Sequence, residues 1–204
     1  HTDAVCAAGK IPFVFNDLNV DYLSFSSHKF GGLKGVGGIV VHERATFQPL
    51  IFGGPQEAEK RAGTENILGI GSTAFALQFQ VTGLESEIKR QDKLRERLKQ
   101  GILELYPQVK FAESKQGLSQ TLNAAFVGLN GNLLLTNLDL EGVSASYGSA
   151  CASGSLEVSH VLINIGLNIE EARSAIRFSF GRLTDEKAID ELLLRLKKVL
   201  ERMK

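Results

Sequence analysis

Lys29 lies in SFSSHKF, where a short apolar alternation gives way to serines and a histidine and then to the glycine-rich GGLKGVGG. Ser24, Ser26, Ser27 and His28 supply hydrogen-bond donors for an anion, and the Lys29 amine stands where it can condense with a bound aldehyde. A ligand that is both a phosphate and an aldehyde describes pyridoxal 5'-phosphate. That cofactor also needs an acid against its pyridine nitrogen, because the protonated ring is the electron sink for a carbanion at the substrate Cα. Asp3, in His-Thr-Asp-Ala at a strand end, is the candidate. Taken alone, Asp3 reads more simply as a cap on the AVCAAG segment that follows.

A second chemistry sits far downstream. Cys151 lies in YGSACASGS, a run of small polar residues that makes a loop and not a packed core. A cysteine filling a core sits among Leu, Ile and Val. This loop argues for an exposed thiol, which is a nucleophile when its pKa is lowered or a base is near. The chain's two cysteines, Cys6 and Cys151, are too few for a zinc site or a disulfide scaffold; a bond between them is possible, but free thiols are the expectation for a cytosolic chain.

The elements that must position these residues follow from periodicity. VDYLSFSS alternates as a strand that runs into the Lys29 loop, and GGIVVHE reads as a second strand. Seven residues between Gly31 and Gly54 are glycine, which marks tight turns or close backbone approach. HTDAVCAAGKIPF reads as a strand end, a short helix and a turn before Pro12. Small and apolar residues from Asn66 to Gln80 predict a helix buried over most of its surface. Leu84, Ile88, Leu94, Leu98, Ile102 and Leu105 recur at helical spacing against a charged face, predicting a surface helix, and the mixed-sign run KRQDKLRERLK is its solvated side. Beyond Pro107, VKFAE, TLNAAFVG and the stretch ending in GVSAS read as strands, with NLLLTNLDLEG a helix between the last two. IEEARSAIR and DEKAIDELLLRLKKVLERM read as helices, the second capped by Thr184. Together these predict an α/β first part, residues 1–85, and an α+β second part, residues 86–204.

Composition is that of a globular chain. Of 204 residues, 43% are hydrophobic and 23% charged, and Lys+Arg balance Asp+Glu at 23 each. Collagen-like and disordered classes are excluded. The zero formal charge gives no general attraction to nucleic acid or anionic lipid, no apolar run spans a bilayer, and no signal-peptide pattern opens the chain. A soluble, intracellular protein is expected, without a nucleic-acid or membrane partner.

HTDAVCAAGKIPF, DYLSFSSHKFGGLKGVGG, FGGPQEAEKRAGTEN, LDLEGVSASYGSACASGSLEVSHVL and SAIRFSFGR resemble, in order and spacing, the motifs of cysteine desulfurases of the nitrogen-fixation and iron–sulfur-cluster assembly type. The resemblance runs over nearly the whole chain. It implies the fold type I pyridoxal-phosphate, aminotransferase-like architecture, with residues 1–85 as the C-terminal part of the large domain and 86–204 as a small domain carrying the cysteine loop. It also implies a cytoplasmic homodimer. Carried over residue by residue, the aldimine-forming lysine of the family falls on Lys29, and the acid at the pyridinium nitrogen on Asp3. Phosphate binding falls on Ser26 and His28, and contact with the phosphate of the neighbouring subunit on Thr64. The sulfur-carrying cysteine falls on Cys151 and the arginine that grips the substrate carboxylate on Arg177, where a planar guanidinium suits a carboxylate better than an ammonium does.

The implied reaction converts L-cysteine to L-alanine and leaves a persulfide on Cys151, which passes sulfur to an iron–sulfur scaffold or another acceptor protein. Four departures stand out. Cys6 occupies the place of a glutamine that contacts the cofactor's ring oxygen, and a thiol is a weaker donor. Ala152 and Val158 replace a threonine and a proline, and Tyr147 stands where a small serine is usual. The family's phosphate turn, ring-stacking histidine and substrate-contacting asparagine have no counterpart in these residues, so the expectation is a second half of a longer enzyme, inactive without the rest. The alternatives are a selenocysteine lyase, a class V aminotransferase, or a non-catalytic form that binds cluster-assembly proteins.

Overall fold

A computed structural model describes residues 1–114, 117–148 and 158–203. The chain divides into two compact units, His1–Ser86 and Glu87–Lys204. No single helix among the described residues is long and apolar enough to cross a membrane.

The first unit is built on a three-stranded sheet in the order β1 (Thr2–Asp3), β2 (Tyr22–Ser26), β3 (Gly37–Val41). β1 runs parallel to β2, placing Asp3 beside Ser24, while β3 returns antiparallel. Between β1 and β2, Ala4 to Ile11 fold into successive turns closed by bonds such as Ala8 N to Ala4 O (2.9 Å) and Lys10 N to Ala7 O (3.0 Å), where the sequence predicts a short helix. Gly9, at φ 72°, ends that run in the left-handed region that glycine enters without strain. A single 3-10 turn, Ser27–Phe30, follows β2 and carries Lys29.

After the one-turn element α1 (Gln56–Glu59), whose residues Glu57, Ala58 and Glu59 take left-handed angles, the chain enters α2 (Ile67–Val81). Asn66 caps α2 by accepting from Gly69 N at 3.0 Å. Ala76 packs with Ala8 and Phe30 in a small apolar cluster. Only Gly69 and Ala76 of α2 are buried, so the expectation of a mostly buried helix fails. Leu68 is 81% exposed and Phe75 73%, while Gly69 and Ala76 lie on the stripe that is covered.

The second unit folds around an antiparallel sheet in the order β4 (Lys110–Phe111), β5 (Thr121–Ala125), β7 (Ala175–Ser179), β6 (Ser146–Tyr147). One face carries Leu122, Ala124, Ile176 and Phe178 into the core formed by α3 (Leu84–Leu105), α4 (Gly131–Leu140) and α7 (Glu186–Arg202). The helices contribute Leu94, Leu98 and Ile102, then Leu134 and Leu138, then Ile189, Leu196, Val199 and Leu200, each set falling on one helical face. Tyr147 turns its ring to the same face, and a side chain at Gly131 would bring its Cβ to 2.5 Å from that ring. Tyr147 is thus a packing residue at the start of α4.

The helix expected over IEEARSAIR is shorter than its pattern. α5 (His160–Asn164) and α6 (Ile169–Arg173) are single turns, and Ala175–Ser179 forms a central strand. An Asn168–Glu171 capping box starts α6, and the backbone leaves the helix at Ser174, whose hydroxyl donates to Glu171 O. The β-run AIRFS then alternates correctly for a half-buried strand, and burying Ile176 and Phe178 decides the contest in its favour. Likewise, Asp185 and not Thr184 caps α7, accepting from Ala188 N at 2.8 Å, while the Thr184 hydroxyl accepts from Gly181 N. β6 begins at Ser146, at the very end of the GVSAS stretch expected to be a strand.

Leu98 is fully buried at the centre of this core, so Leu98→Ala is expected to lower the unfolding free energy by about 2–5 kcal/mol in denaturant titration. Glu171 supplies a pH dependence. Its buried carboxylate accepts from Lys110 Nζ and, at 3.0 Å, from the Asn168 backbone N–H, and the Lys110 bond first, then the Asn168 bond, holds its pKa below the ordinary glutamate range. A depressed folded-state pKa stabilises the fold above the unfolded value and loses that contribution as pH falls through the folded value. Wild type is therefore expected to lose stability over that acid range by more than Glu171→Gln does, as measured by chemical denaturation across pH.

Candidate active site

Of the predicted site residues of the first unit, Asp3, Ser26, His28 and Lys29 lie at or just beyond the ends of β1 and β2. Asp3 closes β1 with its side chain exposed, and its Oδ1 accepts from Val5 N at 2.8 Å. The cap-like role that the sequence allowed is thus real, in the form of a local turn, and it holds the carboxylate in one orientation. Beside it on β2, Ser24 pairs its hydroxyl with His1 Nε2 at 3.1 Å. Ser26 ends β2 two residues beyond Ser24, roughly 7 Å along the strand. Its Oγ lies 2.9 Å from His28 Nδ1. His28 and Lys29 are both exposed on the 3-10 turn.

The turn that presents them is fixed from behind. Gly31 donates its N–H to Ser27 O, and its left-handed φ of 98° turns the chain so that Gly32 N donates to the same oxygen at 3.0 Å. Ser27 is completely buried. Its hydroxyl sits so close to the Gly32 Cα that a Cβ there would lie 1.9 Å from Oγ. Three side chains of α2 complete the hold: Thr73 Oγ1 bonds Ser27 Oγ at 2.9 Å, Gln80 Nε2 donates to Phe30 O at 3.0 Å, and Ser72 Oγ accepts from Leu33 N at 3.0 Å. The sequence showed a lysine in a polar loop. It held no sign of this framework, because the partners lie 39 to 50 residues away.

Lys10, also missed, lies half-buried near Cys6 and Lys29. Burial lowers its pKa, Cys6 pulls it the other way, and the Lys29 ammonium lowers it further. Two amines in one neighbourhood make this end of the sheet attractive to an anion. Cys6 is an exposed free thiol. Thr64 is exposed in a segment where Gly63 N donates to Gln56 Oε1 at 3.1 Å and Arg61 Nη1 to Gly63 O at 2.9 Å.

Arg177 belongs to the second unit, half-buried on β7. It faces away from the core, between Asn123 of β5 and Ser146 of β6 in register. Cys151 lies outside the described residues. No group of three or more His, Cys, Asp or Glu among the described residues could hold a metal ion.

The chemistry of this donor set fits pyridoxal phosphate. Lys29 offers an exposed amine, Asp3 a carboxylate with one oxygen uncommitted to its turn, and Ser26 with His28 a hydroxyl and imidazole for a phosphate. The aminotransferase class-V family model matches residues 1–192, and the chain belongs to that family, whose members use this cofactor. It is 42% identical over 204 residues to a protein named cysteine desulfurase IscS from Clostridium botulinum, covering 98% of this chain and 51% of that protein. A cysteine desulfurase of a Nostoc species is 40% identical over 205 residues, covering 100% of this chain and 51% of its own length. Among solved structures, a NifS-like protein superposes with a TM-score of 0.86 at 34% identity, over 98% of this chain and 52% of the other. The fold is accordingly the fold type I pyridoxal-phosphate architecture, and the chain spans about half the length of the curated relatives it matches.

The contact between Gly32 and Ser27 gives a direct test of the turn. Gly32→Ala must displace the buried Ser27 hydroxyl, at an overpacking cost of about 1–3 kcal/mol. Lower stability in denaturant, with faster amide exchange at Gly31 and Gly32 than in wild type, is the expected outcome.

Proposed function

We propose that this chain forms part of a pyridoxal-phosphate-dependent cysteine desulfurase, converting L-cysteine to L-alanine with transfer of sulfur to Cys151. The observation that carries the reading is the grouping of Asp3, Ser26, His28 and Lys29 at adjoining strand ends in a chain of the class V family. Bound there, pyridoxal phosphate supplies an electron-withdrawing ring that stabilises a carbanion at the substrate Cα.

The chain's own residues do the rest. Asp3 holds a proton at the ring nitrogen, and its bond from Val5 keeps the carboxylate turned for that task. Ser26 and His28 bind the phosphate, and Lys10 adds positive charge nearby. Thr64 reaches the phosphate of a neighbouring subunit in a homodimer. Cys6, in the place of a glutamine, leaves the contact to the ring oxygen weak. Arg177 grips the substrate carboxylate, and Lys29 takes the Cα proton. The Cys151 thiolate then attacks the substrate Sγ. A sulfur–sulfur bond forms as the Cβ–Sγ bond breaks, and the bond pair stays with carbon, which is protonated to the methyl group of L-alanine.

The persulfide on Cys151 passes its outer sulfur to an acceptor thiol of an iron–sulfur scaffold or other acceptor protein, in the cytoplasm. The similarity to proteins named cysteine desulfurase supports this reading over a selenocysteine lyase or an aminotransferase.

Borohydride reduction in the presence of pyridoxal phosphate is expected to attach the pyridoxyl group to Lys29, found by peptide mass, and Lys29→Ala to abolish the adduct. A chain that traps no cofactor would be the non-catalytic form instead. Cys151→Ala should keep cofactor binding and lose more than about 99% of sulfide release from L-cysteine. Normal turnover in that variant would sink the sulfur-carrier role, and amino transfer to a keto acid in place of alanine formation would favour the aminotransferase.

A further inference from the structure

The side of the second unit's sheet that faces away from the helical core carries a polar row. Asn123 on β5 lies directly opposite Arg177 on β7, and Arg177 directly opposite Ser146 on β6. Directly opposed residues share a face, with Cβ atoms about 4.5–5.5 Å apart. Above this row the same face is apolar: Ala125 and Ala175 are buried with Leu162, Leu167 and Ala172. The row therefore sits at the margin of a dry cluster, where hydrogen bonds are worth more than in water.

Two unmet needs meet in it. The Asn123 side-chain oxygen is buried with no hydrogen-bond partner among the described residues. Buried amide oxygens are nearly always paired, and one left without a donor is a standing cost to the fold. Next to it, the half-buried Arg177 forms no ion pair among the described residues. Glu171, whose carboxylate is joined to this sheet through Lys110, is already held by that lysine and by its capping bond. A guanidinium has five N–H donors in a rigid fork, of which a carboxylate takes two.

We propose that Asn123 is a positioning residue for Arg177, and through it a determinant of the site's specificity for α-carboxylates. This rests on Arg177 being the carboxylate-binding arginine. When the fork turns to an α-carboxylate, one of its remaining N–H groups donates to Asn123 Oδ1. The bond fixes the plane of the guanidinium and satisfies the buried oxygen in the same movement. Carboxylate binding and relief of the buried oxygen are then one coupled event, and the cost carried by the unliganded fold favours the bound arrangement.

The test uses the 204-residue chain with pyridoxal phosphate, titrated with L-alanine and, as the matching amine without a carboxylate, ethylamine, and read by the Arg177 Nε–H resonance. Asn123→Leu removes the orphaned oxygen at similar volume. It is expected to leave Tm unchanged or raised, to weaken L-alanine binding about tenfold, and to leave ethylamine binding as it was. A purely structural asparagine would give the opposite pattern, a lowered Tm with L-alanine affinity intact, and that result overturns the proposal. Asn123→Asp keeps an acceptor in place and guards against a misfolded Leu variant: its Arg177 Nε–H should exchange slowly even without L-alanine. Fast exchange there means the two side chains do not meet, and the proposal fails. If L-alanine leaves the wild-type Arg177 resonance unmoved, Arg177 is not the carboxylate residue, and the proposal fails for that separate reason.

Discussion

The pleat of the four-stranded sheet constrains everything that the second unit can do. Leu122, Ala124, Ile176 and Phe178 must all point toward α3, α4 and α7 to close the core, and this leaves no freedom in the register of β5 against β7. A slip of one residue would send Arg177 into the core and Ile176 out of it. The same burial that stabilises the unit therefore sets Arg177 on the outer face and lines it up with Asn123 and Ser146. Stability and site geometry are here a single requirement.

In the first unit the corresponding constraint is the seat of Ser27. One buried hydroxyl touches the backbone at Gly32 and bonds Thr73, so the turn bearing Lys29 is tied to the strand before it and to the helix facing it. The apolar contact of Phe30 with Ala8 and Ala76 works in the same direction. The role proposed for Lys29, condensing with an aldehyde and then taking a proton, needs a fixed base and a free tip. Lys29 has both, since the buried residues on either side of it hold the backbone while the side chain stays exposed.

Much of the architecture was legible from local pattern. The strands at Tyr22–Ser26, Gly37–Val41 and Thr121–Ala125 follow from alternation, and α3 and α7 from apolar residues at helical spacing. IEEARSAIR scores as a helix because its local propensity continues past Arg173, yet Ala175–Ser179 is needed as the strand between β5 and β6. α2 reads as buried from composition, but burial depends on what stands opposite, and here only one stripe is covered. Ala4–Ile11 has helical composition, and Gly9 at a left-handed angle ends the run after two turns.

The site divides along the same line. The types and order of Asp3, Ser26, His28, Lys29, Thr64, Cys151 and Arg177 are a matter of sequence, because the chemistry of an amine, an acid, a thiol and a guanidinium belongs to the residue itself. The lock on the Lys29 turn by Ser72, Thr73 and Gln80, the half-buried Lys10 near Lys29, and the unpaired oxygen of Asn123 beside Arg177 were decided by tertiary structure alone. Each depends on a contact between residues distant along the chain, and on how much water the folded neighbours exclude, neither of which local sequence encodes.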